Sequence, residues 1–395
     1  MSRNTALDWL NFLLADVRGG LGPYVSVFLL TEADWNQATI GLVLTISGLI
    51  GISMHTPVGA LIDATRAKRG LIIAGILALS VCAVAIAWRP TVPVVFAADV
   101  TMAILGAVFA PIVAAITLGL VDEDKLAARL GRNAAFDRAG NLFVAAVAAA
   151  VGTALGQQAV FYLVPFFGVW AALVVLSIPG HSIDHQRARG GARPGTSRQR
   201  QPESWGLLLT HKPLLILAAV AALFHFANAA MLPLISQKLA LGHPGQEAAL
   251  TSGAIIVAQL VMIPVSLLVG WAETIGRRPL LLIAIAAPVL RGILFTLSDD
   301  AAWLIAVQVL DGIGIGLFDA LLPLLLADIM RGSGRYNVAR GLIGTVQGIG
   351  GSLSQAAGGF VVVAAGYDVA FLVLAGSAVV PFVLVWVAMS ETRPH

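Results

Sequence analysis

Gly59-Ala-Leu-Ile-Asp63-Ala-Thr-Arg66-Ala-Lys68-Arg69 stands between two long apolar stretches, and Gly270-Trp-Ala-Glu273-Thr-Ile-Gly276-Arg277-Arg278 stands between two more, about 210 positions later. Both read glycine, then an acid, then a basic cluster. An echo of this length at half the chain, which has 395 residues, points to two related halves. The apolar stretches around each copy are the next thing to explain.

They place the protein in a bilayer. With 58% hydrophobic residues, 11% charged residues and a mean hydropathy of +0.89, the chain lies far from the soluble norm of about 25% charged. A transmembrane helix takes roughly 20 mostly apolar residues. Twelve such stretches fall at 7–30, 38–62, 70–88, 93–120, 133–156, 159–179, 213–237, 248–272, 278–297, 301–328, 337–364 and 368–390. Barrel strands would be about half as long and alternate in polarity, so the predicted class is an all-α membrane protein of twelve transmembrane helices.

Lysine and arginine set the expected orientation, because basic loops are retained in the cytoplasm. With the N-terminus inside, nineteen basic residues fall in inner segments, among them Arg66, Lys68, Arg69, Arg129, Arg132, Arg277 and Arg278, and only Arg89 and Lys238 fall outside. Both termini are then cytoplasmic, and the plasma membrane of a bacterium is the expected location. The pI of 9.3 is a topology signal. A nucleic-acid partner would need a basic face on a soluble domain, and none is predicted. Trp9, Trp271 and Trp386 near inner helix ends, and Trp35, Trp88 and Trp303 near outer ones, fit interfacial belts. The first apolar stretch holds Asp16 and Arg18 and lacks a cleavage pattern, so it is expected to stay. The single cysteine, Cys82, lies within span three and reads as packing.

Residues 181–212, rich in Arg, Gly, Gln and Pro, have little to bury and form the one evident linker. They divide the chain into an N-terminal bundle (1–180) and a C-terminal bundle (213–395), pseudo-symmetric and of six helices each. The repeat extends past the opening motif: Arg132 aligns with Arg340, and Gly140 with Gly348, at an offset of 208.

Two six-helix halves, a basic central loop and the Gly59-x-x-x-Asp63-x-x-Arg66-x-Lys68-Arg69 motif resemble the major facilitator superfamily of secondary transporters over essentially the whole chain. The resemblance implies alternating access, a monomer, a small-molecule solute as partner and no cofactor. It also implies a gate role for Gly59, Asp63, Arg66, Lys68 and Arg69, with Gly270, Glu273, Arg277 and Arg278 as the weaker copy. The first copy departs from the family pattern at Ala64 and Ala67. Gly59 is small enough for two helix backbones to approach. The opposing reading is a plain positive-inside turn.

Specificity should lie with polar groups at mid-membrane depth, where an ionisable residue is costly and defaults to a functional role. Span one reads Asp16-Val-Arg18-Gly19-Gly20-Leu-Gly22-Pro23-Tyr24. Asp16 lies roughly 14 Å in at 1.5 Å per residue, and the glycines and proline should break the helix there. Asp16 and Arg18, two apart, face away from each other. Asp99, His225, Asp311, Asp319 and Arg291 also fall inside spans. Because helices one, four, seven and ten line the pathway in the superfamily, the resemblance implies a pathway set of Asp16, Arg18, Tyr24, Asp99, His225, Asn228, Asp311 and Asp319. Arg291, on a normally peripheral span, reads instead as a satisfied ion pair, and Asp137-Arg138 as rim charges.

In span seven, His225 and Asn228 share a face at i, i+3, and Pro233 opens the helix beyond them. His225 could relay a proton, hold a metal, or bond a substrate or a neighbouring helix. Metal-ligand spacings are absent, and His55 lies at the inner end of span two, so no metal site is assigned. A buried carboxylate that exchanges its proton between the two sides can couple a gradient to transport. Asp16, Asp99 and Asp311 each lie deep enough for this; Asp16, beside the break, is the first candidate, with a proton as the default coupling ion and sodium as the alternative. Drug exporters of the superfamily carry a Gly-Pro signature on helix five that the Gly140 to Gly156 stretch lacks, and sugar-porter motifs are not evident. The reading is proton-coupled efflux of a small organic compound or metabolite. Uptake of a small solute, transition-metal export and transport-free sensing are the alternatives. No Ser-His-Asp arrangement or HExxH motif supports an enzyme.

Overall fold

The computed structural model describes residues 3–179 and 210–392 apart from positions 20, 66, 122, 332 and 334, and at positions 3, 16–19, 56, 59, 60, 63, 123, 124, 127, 128, 269, 271, 273 and 337 it describes the backbone alone. The expected linker is therefore outside the described residues except for 210–212. So are Arg66, the side chains of Asp16, Arg18, Asp63 and Glu273, and the surroundings of Gly59.

Every regular element among the described residues is a helix. In chain order these are α1 (Arg3–Gly19), α2 (Gly22–Thr31), α3 (Gln37–Ser53), α4 (His55–Ala64), α5 (Lys68–Trp88), α6 (Val92–Leu120), α7 (Glu123–Leu155), α8 (Leu163–Ser177), α9 (Lys212–Asn228), α10 (Met231–Gly242), α11 (Glu247–Leu267), α12 (Arg277–Leu294), α13 (Ala301–Ala306), α14 (Val309–Ile329), α15 (Tyr336–Ala365) and α16 (Tyr367–Ala388), with short 3-10 turns at Gln157–Tyr162 and Leu268–Glu273. Helical segments cover all twelve expected spans, and among the described residues nine stretches are long and apolar enough to cross a membrane.

Several spans are two helices end to end, for local reasons. Span one breaks between Gly19 and Gly22, where Pro23 starts α2 without needing a backbone donor. Span seven breaks at residues 229–230, one turn before Pro233 rather than beyond it. A proline removes the hydrogen bond to the carbonyl four residues back, which here is Ala229. Gln355 Nε2 donates to that carbonyl instead at 3.2 Å, and Ala230 N–H donates to Ser354 Oγ at 3.1 Å.

Two compact units are present, one comprising Met1–Asp34, Ile46–Ser197 and His243–Ser252, the other Trp35–Thr45, Arg198–Gly242 and Gly253–His395. In the first unit, a Cβ on Gly140 of α7 would lie 2.2 Å from the Phe12 carbonyl oxygen of α1. In the second, a Cβ on Gly350 of α15 would lie 2.1 Å from the Ala222 carbonyl oxygen of α9. Gly350 and Ala222 each lie 210 residues beyond Gly140 and Phe12, so the packing partner of Gly140 in the repeat is Gly350, two residues past the Gly348 that sequence alignment suggests. The turn glycines agree. Gly156 (φ +90°) and Gly366 (φ +87°), also 210 apart, reverse the chain before the sixth and twelfth spans in a conformation closed to other residues. The second unit's core gathers Phe224, Phe318, Leu321, Leu325, Ile285 and Ile343, all buried.

Candidate functional site

The second unit places most of its pathway candidates around the end of α9. His225 and Asn228 share a face there. The His225 ring meets Phe318 edge-on at 5.5 Å between centroids, and Phe318 stacks on Phe224 at 4.2 Å. Nδ1 of His225 lies 2.9 Å from the Ala221 carbonyl oxygen, which can only accept, so Nδ1 carries the hydrogen. Nε2 faces the amide nitrogen of Gln347 in α15 at 3.4 Å. The Asp319 carboxylate, exposed on α14, acts electrostatically on this imidazole. Asn228 and Asp311 belong to a separate buried group. Arg291 Nη1 donates to the Asp311 carboxylate and, at 2.8 Å, to Asn228 Oδ1, while Asn228 Nδ2 donates to the same Asp311 oxygen at 3.1 Å.

In the first unit, Tyr24 is fully buried, with its hydroxyl 2.7 Å from Ser252 Oγ. Asp99 is half-buried in α6 near the Ser47 hydroxyl, without a hydrogen bond between them. Asp16 and Arg18 lie on the last turn of α1, next to the break.

The described basic residues of both loop motifs are spent on helix ends. Lys68 Nζ donates to the Ile62 and Thr65 carbonyls at 2.5 and 3.2 Å, closing the C-terminus of α4. Arg69 donates to the Val175 and Leu176 carbonyls at 3.1 and 2.9 Å, at the end of α8. In the second unit, Arg277 donates to the Ala272 carbonyl at 2.9 Å and to Asp328 at 3.1 Å, and Arg278 donates to the Trp386 carbonyl at the end of α16. Each motif therefore supplies one cation to the helical segment before it and one to a later helix of its own unit, α8 or α16. This favours the negative end of a helix dipole. At Gly270 a Cβ would meet nothing within 4 Å, so no close approach demands glycine there.

The family model described as Major Facilitator Superfamily matches residues 9–290, well over half of the chain. The chain belongs to the major facilitator superfamily. Two relatives, from two strains of Mycobacterium tuberculosis and both named as an uncharacterised MFS-type transporter, are 44% identical over 391 residues, which is 98% of this chain and 93% of theirs. Among solved structures, a mutant of the nucleoside transporter NupG superposes with a TM-score of 0.81 at 16% identity, over 99% of this chain and 100% of that one. A bacterial homologue of the human lysosomal transporter Spinster, inward-facing and unoccupied, gives 0.73 at 14% identity, over 98% and 96%. At these identities the two structures speak to fold alone. This major facilitator chain is thus a multi-pass membrane transporter.

Three groups in this transporter escape a reading of its sequence. Gln347 looks like any polar residue of a long helix until it meets His225. Asp8 looks like a terminal charge, yet it is buried and accepts from Arg129 Nη2 at 2.5 Å and from Arg132 Nε and Nη2 at 2.9 and 2.8 Å. Arg129 further donates to Asn133 Oδ1 at 2.8 Å, and Asn133 Nδ2 to Thr117 Oγ1 at 3.0 Å, tying α1, α6 and α7 together. Arg291 was visible as a charge, but its partners were not. Only the i, i+4 spacing of Arg129 and Asn133 was a readable signal.

Proposed function

We propose that this protein is a proton-coupled secondary transporter that exports a small organic compound by alternating access, acts as a monomer, and keeps both termini at the cytoplasmic face of the plasma membrane. Its division into six-helix bundles at 1–180 and 213–395 is part of that reading. The observation that carries it is Asp319. It stands ten residues into the 21-residue apolar helix α14, about 15 Å from either end, yet it is exposed. An ionised group at that depth is tolerated where it faces water rather than lipid. Near it, His225 is the side chain best suited to take up a proton near neutral pH.

Asp319, His225, Gln347 and the Phe224 and Phe318 rings supply a carboxylate, an imidazole, an amide and aromatic faces, which suits an organic solute with both polar and apolar parts. Asp16 and Asp99 are the carboxylates of the first half that can alternate in proton exchange, with Arg18 as a countercharge, and the Asp63, Arg66 and Glu273 motifs act at the gate.

Proteoliposomes loaded with a panel of organic cations, anions and neutral metabolites test the reading. The expected result is saturable efflux that collapses when the proton gradient is dissipated, and its loss in Asp16→Asn and Asp319→Asn protein that still reaches the membrane. Full active transport by Asp16→Asn removes that residue from the coupling role. Flux indifferent to the gradient, or binding without flux, overturns the reading itself.

A further inference from the structure

Arg291 is completely buried in α12, and a satisfied tie between helices would leave none of its donors idle. Two of them are idle. Nε and Nη2 have no hydrogen-bond partner, while Nη1 alone serves Asp311 and Asn228. The guanidinium lies 5.5 Å from the centre of the Phe295 ring. Gln308 is also completely buried, and neither its amide oxygen nor its amide nitrogen is paired. It immediately precedes α14, one turn before Asp311, and Gly312 N–H donates to its carbonyl at 3.2 Å. Spans seven, nine and ten thus meet around an ion pair with four unused polar atoms on Arg291 and Gln308. Unpaired buried polar groups are costly and scarce in native proteins. Asn228, the third member of the group, is the last residue of α9, where span seven breaks.

We propose that Arg291 and Asp311 form a proton-dependent lock on the span-seven break, with Gln308 as the partner Arg291 takes when the lock opens. The proposal deepens the proton-coupled reading above and rests on it. The Asp311 side chain keeps 6% of its surface exposed whereas Arg291 keeps none, so the acid is the member that exchanges with water. When the Asp311 carboxylate takes a proton from water it becomes a neutral acid, Arg291 stays a guanidinium, and the net charge of the group rises from zero to plus one. A buried cation stripped of its counterion is strongly destabilised. Arg291 then swings to the Gln308 amide oxygen and releases Asn228, and the end of α9 is freed. Loss of the proton restores the pair.

Arg291 is the one cation facing Asp311 from α12. α9 offers Asn228 there and His225 one turn earlier. α11 approaches the neighbouring Gly312 with Ala258 and Val261, neither of them ionisable. α15 carries only Tyr336 and Arg340, both in its first turns, and on α14 itself the other ionisable groups are Asp319, two turns on, and Asp328 at the far end.

The test uses the full chain in lipid nanodiscs, with protons as the only probe. Amide hydrogen exchange is followed through the span-seven junction, residues 226–234, at acid and neutral pH and corrected for intrinsic exchange. In the wild type, exchange at the junction is expected to be about tenfold faster on the acid side. The charge-neutral double variant Arg291→Gln/Asp311→Asn is expected to lose that pH dependence. Gln308→Leu, which gives up no hydrogen bond and so should fold, is expected to suppress acid-side opening while leaving neutral behaviour unchanged. A wild-type junction indifferent to pH, a double variant that keeps the wild-type response, or a Gln308→Leu variant identical to wild type overturns the proposal. Flux that ignores a proton gradient while the junction still answers to pH refutes the transport reading and leaves the lock standing.

Discussion

Replacing Gly350 with alanine puts a methyl group against backbone. Its Cβ would lie 2.1 Å from the Ala222 carbonyl oxygen and 2.9 Å from the Ala222 carbonyl carbon, where real Cβ atoms essentially never come within 3.0 Å. Both contacts are main chain of a packed helix, so no side-chain rotation relieves them and the α9–α15 crossing must open by roughly 1 Å. Overpacking of this kind costs about 1–3 kcal/mol. Alanine also gains about 1 kcal/mol of helix propensity over glycine, which would mask part of the cost. Gly344, two turns earlier on α15, separates the effects, because a Cβ there meets nothing within 4 Å. Gly344→Ala takes the same propensity gain without the clash, so the difference between the two variants isolates the crossing at about 1–3 kcal/mol. Thermal unfolding of purified protein in detergent, followed by tryptophan fluorescence, measures it as roughly 2–4 °C per kcal/mol for a unit of about 200 residues. Gly140→Ala, 2.2 Å from the Phe12 carbonyl oxygen, should lose a similar amount if the two units share one crossing geometry. A Gly350→Ala protein that melts with Gly344→Ala refutes the crossing, and with it the 210-residue register of the repeat.

Asp8→Leu leaves Arg129 buried without its carboxylate and should destabilise the first unit by about 3–5 kcal/mol, whereas Asp8→Asn, which keeps an acceptor, should lose less. Chemical denaturation in detergent ranks the two, and equal losses would count against the charge argument. Arg69→Gln and Arg278→Gln should each speed amide exchange at one helix end only, residues 174–177 for the first and 384–388 for the second. Coupled exchange at both ends in either variant would contradict the division of cations between units. Lys238 Nζ, 2.7 Å from the exposed Asp299 carboxylate, holds that group below its ordinary value of 3.8. A depressed folded pKa contributes stability that is fully present above the unfolded value and is lost as pH falls through the folded one. The melting temperature of wild type and Asp299→Asn should therefore run parallel from neutral pH down to the ordinary carboxylate range and differ in slope only below it.

Twelve apolar stretches were legible because a bilayer core offers no water to backbone groups, so each crossing must be a long helix of apolar side chains. The break in span one was legible for a similar reason, since Gly19, Gly22 and Pro23 act on their own backbone. The break in span seven was only half legible. Pro233 announced it, but the carbonyl of Ala229 needed Gln355 and Ser354 from another helix before its position was settled. Candidate charges were also legible as costly exceptions in apolar runs. Their pairings were not: Arg291 with Asp311 and Asn228, and His225 with Gln347, join residues 20 to 122 positions apart. The gate motif shows the same limit. Its repeat was plain, while the spending of Arg69 and Arg278 on the carbonyl ends of α8 and α16 depends on where those helices finish in space.

The amino-acid sequence by itself determined the solvent, the secondary structure, the duplication and the family, because all of these rest on composition and on patterns local to each span. Tertiary structure alone decided which polar atoms are left without partners, since a hydrogen bond is a matter of a few tenths of an ångström between groups that chain order keeps apart. The idle donors of Arg291 and the idle amide of Gln308 are of that second kind.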